Sequence, residues 1–417
     1  MQSKEVPMTR RKRVLAALNH TEADKVPIDC GSMRSTGIMG LAYNTLKEHL
    51  GISGGKTKIF DMVQQLAIPE QWYLDRFQID CVDLSRTFAN HEEDWIPWNL
   101  PDGSAAYRPS WVDIRKEGDD WVCYNGNNIA VGRMSPGLVY FTQTNYPYMG
   151  MESVNYTDLR QKMDETIWGH VADPAWRFGG QADFPKMLRA NLQKLQTETD
   201  YATMFAIGGN FFEYGQYLYR TDEFLMNMLI EQENVEKLLD ALLEIHLETV
   251  DTVLGSIGDL VDVLMFGDDL GTQNTTMISR DLYKQLIYPR QKKLFQYVHE
   301  HSNAKVFLHS CGAISSIIGD LIDAGVDILN PVQIGATGMS PAYLKQEFGK
   351  DLVFWGGGVD TQHVLATGTP DQVRESVLRN CDILMKDGGF VFNQVHNIVD
   401  GVPPENIIAM YNAANSL

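Results

Sequence analysis

The chain has 417 residues, 44% of them hydrophobic and 21% charged, so it can bury a large core in a globular fold. Its formal net charge of −19 argues against nucleic acid and anionic membranes as partners. No apolar stretch is long enough to span a bilayer, and the N-terminal residues lack the pattern of a signal peptide. The five cysteines are scattered singly, which is typical of reduced thiols, and we therefore expect a cytoplasmic protein.

The first part of the chain predicts a helix, a strand, a longer helix and a second strand. Thr9 can cap a helix that ends near Asn19, and the basic cluster 10–13 is expected to form a solvated face of that helix. Residues 25–29 and 79–84 have the apolar character of short strands, and a helical stretch is expected between them, from about Lys58 to Phe77.

From about residue 86 to 150 the sequence becomes rich in aromatic residues, glycine, proline and asparagine. Residues 111–115 and 121–124 have the pattern of antiparallel strands with hairpin turns. We expect a β-rich insertion packed on the main fold, its aromatic side chains mostly in the core and some lining an apolar pocket. Half of the eight tryptophans lie here: Trp95, Trp98, Trp111 and Trp121.

Beyond residue 200, short apolar strands alternate with segments long enough for one helix each. Strand and helix alternating roughly eight times implies parallel strands, and in one domain this predicts an α/β fold, a (β/α)8 TIM barrel with an N-terminal helical extension. A doubly wound open sheet is the alternative, but no G-x-G-x-x-G follows any strand. We expect a single barrel domain over residues 1–417, with strands at 204–209, 261–266, 306–308, 327–330, 352–355 and 390–392.

In such a barrel, chemistry gathers at the carboxyl ends of the strands, and polar residues recur there. We expect catalytic roles for Glu213, Asp268 and Asp29, although the adjacent Asp268 and Asp269 could equally cap helices or loops. The candidate substrate-binding residues at these ends are Arg34, Tyr214, Asn330, Gln333 and Asn393.

His309 and Cys311, which follow an apolar strand, are the centre of the expected site. An extended backbone places residues i and i+2 on one side, so the imidazole and the thiol can converge on one ion. Nitrogen and sulfur ligands suit zinc, which in catalytic sites keeps three protein ligands and one open position. His396 is the candidate third ligand, with a substrate-binding imidazole as its alternative, and Glu213 could be a fourth, exchangeable ligand. By itself, the His309–Cys311 pair is equally compatible with a core thiol beside a capping histidine.

Six further segments are characteristic: RKRVLAALNHTEADKVPID at 11–29, FFEYGQYLYRTDEFL at 211–225, FGDDLGTQNTTMISRDLYKQLIYP at 266–289, FLHSCG at 307–312, FWGGGVDTQHVLATGTPDQV at 354–373 and GGFVFNQVHNIVDGVPPENI at 388–407. They resemble the uroporphyrinogen decarboxylase superfamily, and within it the corrinoid-dependent methyltransferases, which implies a distorted (β/α)8 barrel. Decarboxylases carry an arginine-rich segment after the first strand, whereas this chain has only Arg34 there. Zinc methyltransferases of the superfamily carry H-x-C and a later cysteine, where this chain has His396.

The resemblance implies a zinc-dependent methyltransferase that moves a methyl group from a small methylated substrate to the cob(I)alamin of a separate corrinoid protein. The cobalamin is expected on that partner because this chain has no D-x-H-x-x-G segment. An aryl methyl ether is the favoured donor because a phenolate, with a conjugate-acid pKa of about 10, leaves more readily than an alkoxide. The alternatives are a methylcobalamin:thiol methyltransferase, a decarboxylase-like lyase in which Asp29 and Arg34 hold an acidic substrate, and a non-catalytic corrinoid-handling protein. A homodimer is compatible with the sequence.

Overall fold

The computed structural model describes residues 7–151 and 154–417, and in this part of the chain the fold is mixed α/β. The strands are β1 (Ile59–Asp61), β2 (Leu66–Ala67), β3 (Cys81–Asp83), β4 (Trp95–Asn99), β5 (Ala105–Pro109), β6 (Asp113–Glu117), β7 (Asp120–Tyr124), β8 (Ala130–Met134), β9 (Thr142–Gln143), β10 (Ala202–Gly208), β11 (Val263–Gly267), β12 (Lys305–His309), β13 (Ile328–Asn330), β14 (Val353–Trp355) and β15 (Phe390–Val391).

Helices surround and connect these strands. They are α1 (Arg10–Leu18), α2 (Gly40–His49), α3 (Gln71–Arg76), α4 (Leu159–Asp164), α5 (Ile167–His170), α6 (Phe184–Glu198), α7 (Phe212–Tyr219), α8 (Thr221–Ile230), α9 (Gln232–Ile257), α10 (Arg280–Leu282), α11 (Tyr288–His301), α12 (Ile318–Ala324), α13 (Pro341–Phe348), α14 (Val364–Thr367), α15 (Pro370–Leu384) and α16 (Pro404–Ala414). A π-helical turn, Tyr283–Ile287, joins α10 to α11. Within the described ranges, no helix is both long and apolar enough to cross a membrane.

The main sheet has seven strands, all paired in parallel, in the order β15-β14-β13-β12-β11-β10-β3. Its six later strands lie within one or two residues of the positions expected from the sequence. Alternate residues face opposite sides of each strand. In β11, Val263 and Met265 belong to the inner core of the curled sheet, while Leu264 and Phe266 belong to the outer core against the helices.

The two edges of this sheet approach each other through the segment that precedes Asp29. The Asp29 amide donates to the Phe392 carbonyl (2.9 Å), and the Phe392 amide donates to the Pro27 carbonyl (2.8 Å). On the other side, the Asp80 amide donates to the Ile28 carbonyl (2.7 Å). The strand expected at this position is therefore reduced to a single bridge between Ile28 and Phe392, and the sheet is a curled seven-stranded half-barrel.

Helix α1 lies where the expected N-terminal helical extension places it. The Thr9 side chain caps it, and Val14, Ala17 and Leu18 pack into the inner core of the sheet. The expectation that its basic cluster is a solvated face is wrong for Arg13, which is buried and forms an ion pair with the buried Asp80 (2.6 Å). This helix is therefore fastened to the sheet by charge as well as by apolar packing.

The helix expected from about residue 58 to 77 is the clearest error of the sequence-based prediction. This region contains the antiparallel pair β1 and β2, and only its end, α3, is helical. A charged side chain explains part of the difference, because Asp61 is fully buried in β1 and forms an ion pair with Arg34 (2.6 Å). An apolar periodicity in the sequence does not reveal such a buried pair.

The β-rich insertion is present and antiparallel, as expected. Strands β4 and β5 form one pair, and β6 to β9 form a four-stranded sheet. The insertion begins at β4 rather than near residue 86, because residues 84–88 form a 3-10 turn instead. Trp95 and Trp98 are buried in the main apolar core, in agreement with the expected role of the aromatic residues.

Gly312 lets the loop after β12 lie directly against the loop after β11. Its φ is +95°, and a Cβ atom there would lie 2.4 Å from the carbonyl carbon of Gly271 and 2.6 Å from the carbonyl oxygen of Thr272. Only glycine adopts this backbone without strain and leaves room for so close an approach.

We therefore predict that Gly312→Ala lowers the free energy of unfolding by roughly 1–3 kcal/mol, because it adds backbone strain and a clash with the neighbouring loop. Urea unfolding monitored by circular dichroism measures the change. Gly319→Ala is the matched control, because Gly319 is an exposed helical glycine with open space around it. It should be neutral or raise stability by up to about 1 kcal/mol. Equal stability of Gly312→Ala and the wild type would contradict this account.

Candidate active site

A cavity of about 710 Å³ opens at the carboxyl ends of the parallel strands. It receives polar side chains from the loops after β10, β11, β12 and β15, together with aromatic side chains from outside the sheet. Its polar lining includes Arg34, Glu213, Asp269, His309 and His396. The aromatic lining is Tyr140, Phe141, Trp168, Trp176, Tyr214 and Tyr217.

His309 is the last residue of β12 and is nearly fully buried. Its Nδ1 lies 2.7 Å from Oδ1 of Asn330. The Asn330 amide group donates to the carbonyl of Trp355 (2.7 Å), which turns its oxygen towards the imidazole. This contact favours the tautomer with its proton on Nδ1, in which Nε2 has a lone pair that can bind a metal.

Cys311 lies two residues further on, and its Sγ is 3.4 Å from Nε2 of His309. The backbone around it is held by side chains from neighbouring loops. The Cys311 amide donates to Asp269 (2.8 Å), and the Gly312 amide donates to Gln333 (2.8 Å). Burial, followed by the nearby carboxylates of Asp269 and Glu213, raises the pKa of the thiol well above its ordinary value.

His396, in the loop after β15, completes the cluster. Its ring centroid lies 5.6 Å from that of His309, and one ligand atom from each of His309, Cys311 and His396 falls within 4.8 Å of the others. Burial lowers the pKa of His396 to about 4, so the imidazole is neutral at physiological pH. The structure thus brings together the three side chains expected as metal ligands.

Two nitrogen atoms and one sulfur atom form a chemically suitable donor set for a transition metal such as zinc. With bonds of roughly 2.0–2.3 Å, tetrahedral ligand atoms lie about 3.3–3.8 Å apart. The 3.4 Å separation of the His309 and Cys311 donor atoms already matches that spacing. Since the widest separation in the cluster is within 4.8 Å, a small movement of the His396 loop would bring the set to bonding geometry. The residues present therefore fit a metal.

Glu213 faces the same cavity from the first turn of α7. Its carboxyl group accepts hydrogen bonds from the Asn210 amide group (2.6 Å) and the Tyr217 hydroxyl (2.6 Å). Burial is the largest cause of its raised pKa, and the neighbouring carboxylates of Asp269 and Asp268 add to it, which gives a value of about 8. The group is thus mostly protonated at neutral pH and can give up a proton.

Asp268 holds the backbone that carries Glu213. Its carboxylate accepts from the amides of Phe211 (3.2 Å), Phe212 (3.1 Å) and Glu213 (2.9 Å), and from the Gln291 side chain (3.2 Å). It therefore caps the amino end of α7. Burial raises its pKa to about 7 although these donors oppose the shift. Asp268 does not line the cavity.

Asp269, which the sequence-based list of catalytic residues omitted, is the member of the acidic pair that faces the cavity. Its carboxylate lies 3.6 Å from Nε2 of His309 and accepts from the Cys311 amide. The sequence signal for it was its position beside Asp268 after a buried strand. What decides between the two neighbours is the path of the backbone after Gly267, which the sequence does not specify.

Arg34 and Tyr214, both expected to bind substrate, line the cavity. The Arg34 guanidinium forms ion pairs with Asp61 (2.6 Å) and Asp173 (3.2 Å) and lies over the Trp168 ring, 5.4 Å from its centroid. Burial raises the pKa of the Tyr214 hydroxyl to about 12, so this group is a neutral donor at physiological pH.

The other expected site residues do not line this cavity. Asp29 is fully buried and accepts from the Trp355 indole (2.9 Å), while burial raises the pKa of its carboxyl group. Asn393 is also fully buried and donates to the carbonyls of Asp29 (3.1 Å) and Thr36 (3.2 Å). Asn330 and Gln333 support the loop that carries His309 and Cys311.

Of the aromatic residues that line the cavity, the sequence-based list of site residues contained only Tyr214. Tyr217 donates to Glu213 and stacks on Trp168, with ring centroids 6.0 Å apart. His246 is buried and hydrogen-bonded to the Asn210 carbonyl (3.0 Å), and its ring also lines the cavity. Tyr217 follows Glu213 by one helical turn, and that spacing was the available signal.

The raised pKa of Glu213 predicts a pH-dependent cost to stability. Between pH 4.5, its ordinary value, and about 8, the folded protein keeps a proton that the unfolded chain has released, so stability falls as the pH rises through this window. We expect Glu213→Gln to gain thermal stability relative to the wild type, with a difference in Tm that grows from pH 5 to pH 9. Differential scanning calorimetry measures it. The exposed Glu375→Gln serves as control, and a Tm difference for Glu213→Gln that does not change with pH would contradict the account.

Comparison with known proteins identifies the fold and the family of the chain. No curated protein matches the chain. Among solved structures, a methyltransferase from Methanosarcina mazei superposes with a TM-score of 0.55 at 17% sequence identity, and the match covers 98% of this chain and 99% of that one. A likeness at this level of identity shows a shared fold. Residues 144–417, which contain every polar cavity residue discussed above except Arg34, match the uroporphyrinogen decarboxylase (URO-D) family. The chain therefore belongs to the uroporphyrinogen decarboxylase family.

Proposed function

We propose that this protein is a zinc-dependent methyltransferase that moves a methyl group from an aryl methyl ether to the cob(I)alamin of a separate corrinoid protein. The observation that carries the proposal is the sharing of one aromatic-lined cavity by the His309–Cys311–His396 cluster and the protonated carboxyl group of Glu213. A metal site and a proton donor side by side are what cleavage of an ether requires, because the departing oxygen must not keep an unstabilised charge.

His309, Cys311 and His396 would hold the zinc ion. When bound there, zinc supplies a Lewis acid that stabilises negative charge on an oxygen atom. Asn330 presents the Nε2 lone pair of His309, and Asp269 fixes the backbone of Cys311. These two supporting contacts keep the donor atoms pointing at a common centre.

Glu213 would give its proton to the ether oxygen as the bond from oxygen to the methyl carbon breaks. The methyl group leaves for the nucleophilic acceptor, the oxygen keeps the bonding electron pair and takes the proton, and the products are a phenol and the Glu213 carboxylate. Solvent then returns a proton to Glu213. The Asn210 and Tyr217 donors hold the carboxyl group in place through this cycle.

The cavity walls suit a flat aromatic ring. Trp168, Trp176 and Tyr214 supply apolar ring surface, and the volume of about 710 Å³ accommodates a small substituted benzene together with the reacting group of a partner. We also infer that the segment 26–29 takes the place of the eighth strand of a closed barrel, since its hydrogen bonds reach both edges of the sheet.

The zinc assignment predicts about one zinc ion per chain in protein purified from zinc-replete medium, measured by inductively coupled plasma mass spectrometry. His309→Ala, Cys311→Ser and His396→Ala should each reduce the zinc content at least about tenfold, because each removes one of only three protein ligands. The control is His363→Ala, which removes an exposed histidine outside the cluster. Wild-type protein without stoichiometric metal would rule out the zinc site.

The function is tested by an assay of methyl transfer to a reduced corrinoid protein from a panel of methoxylated aromatics, methylamines and methyl thioethers. The absorbance of the corrinoid reports the transfer. We expect transfer from methoxylated aromatics, and a loss of about 100-fold or more in kcat/KM for Glu213→Gln. The wild-type rate should fall as the pH rises through about 8, where the acid form of Glu213 is lost, and the variant should lack this limb.

The leaving group provides the control for the acid role. A nitro-substituted anisole releases a more acidic phenol that needs less protonation, so Glu213→Gln should impair its demethylation much less than that of anisole. An equal loss of kcat/KM with both methyl donors would show that Glu213 is not the general acid. The absence of transfer from every methoxylated aromatic would sink the proposed function.

A further inference from the structure

The charges that face the cavity are unbalanced in a way that bears on which substrates it admits. Two arginines, Arg34 and Arg160, line it within the described part of the chain. Arg160 is exposed and forms an ion pair with Glu248. Neither guanidinium therefore offers a free positive charge to a ligand inside the cavity.

The pairing of Arg34 is the stronger of the two. Asp61, which is fully buried, lies 2.6 Å from the guanidinium, and Asp173 lies 3.2 Å from it. The same guanidinium also donates to the Val171 carbonyl (3.0 Å). If both carboxylates are charged, the group of three carries a net negative charge, and if Asp61 takes up a proton, the group is neutral. In neither state does the group present a surplus positive charge.

The carboxyl groups of Glu213 and Asp269 face the same space. Glu213 is held by the neutral donors Asn210 and Tyr217, and Asp269 lies beside His309. Among the described residues, neither forms an ion pair with a lysine or an arginine. Apart from a metal at the His309–Cys311–His396 cluster, a ligand carboxylate would therefore meet the negative charge of Asp269 and no unpaired cation, whereas a neutral ring or a cation would meet aromatic faces.

We infer that the cavity selects methylated aromatic substrates without an anionic group. We also infer that Asp173 determines this specificity, because its ion pair with Arg34 compensates the positive charge of the guanidinium. The inference rests on the proposed function, because it names the class of aryl ether that the site would take. The inference also extends the comparison with decarboxylases, since Arg34, the one arginine after the first strand, already forms ion pairs with Asp61 and Asp173 inside the protein.

Three nearly isosteric ligands that differ in charge and in hydrogen-bonding groups provide the test: 4-methoxybenzamide, 4-methoxybenzoate and 4-methoxybenzamidine. Isothermal titration calorimetry measures their affinities at pH 7. We expect the neutral amide and the cationic amidine each to bind at least about tenfold more tightly than the benzoate. The titrations are run on protein as purified and after treatment with a chelator, because a carboxylate could otherwise bind a metal at the His309–Cys311–His396 cluster. The same order is expected in both.

The variant Asp173→Asn tests the role of Arg34. It removes one charge beside the guanidinium while keeping an oxygen atom that can accept its hydrogen bond. The preference for amide over benzoate should fall about tenfold. Burial, followed by the charge of Asp173, raises the pKa of the nearby Asp83 to about 8. Because the loss of Asp173 would lower that pKa, Asp173→Asn is compared with its parent in an Asp83→Asn background, where no new carboxylate can offset the change.

Asp164→Asn is the matched control. Asp164 lines the same cavity but lies beside His170 (3.1 Å) rather than Arg34, so its removal takes one negative charge from the wall without releasing the guanidinium. A change in preference no larger than in this control would remove Asp173 from the role of specificity determinant.

Equal or tighter binding of the benzoate by the wild type, or no binding of the amide, would overturn the inference without the use of any variant. These binding results are separate from catalysis. If the amide binds as expected but its methyl group is never transferred to a reduced corrinoid protein, the charge selection holds and the proposed function fails. If both the amide and the benzoate are demethylated with equal kcat/KM, the function holds and the inference fails.

Discussion

The register between three neighbouring parallel strands is the constraint on which the site depends. Gly267 of β11 pairs with His309 of β12, and His309 pairs with Asn330 of β13. The three strands therefore end in one row, and the next residues of each chain segment emerge side by side. A shift of one residue would turn His309 to the opposite face of the sheet and separate it from the side chains that orient it.

Burial shifts the charge state of each important group in the same direction. Glu213, Asp268 and the thiol of Cys311 have raised pKa values, and His396 has a lowered one, so all four favour their neutral forms. Such a site is poor at holding isolated charge. A cation bound by the cluster would favour the thiolate, because metal ligands bind in their deprotonated forms.

The sequence predicted the later strands well because strands buried on both faces give short, continuous apolar runs between helices. It also predicted the three members of the candidate metal site, since a strand end limits where a side chain can point. It failed where tertiary contacts decide the structure. The buried pair of Arg34 and Asp61 draws an expected helix into a hairpin, and the backbone after Gly267, rather than composition, places Asp269 instead of Asp268 at the cavity.

The bridge between Ile28 and Phe392 joins parts of the chain that are far apart in sequence, and this has a consequence for the order of folding. Closing a loop of that length costs more entropy than forming any contact between consecutive strands, so we expect the contact between Ile28 and Phe392 to form late. His396 lies just beyond it. A nascent chain in which β12 has left the ribosome already contains His309 and Cys311. It lacks the third ligand, His396, until the bridge between Ile28 and Phe392 can form. Tight metal binding would then belong to the finished protein rather than to the nascent chain.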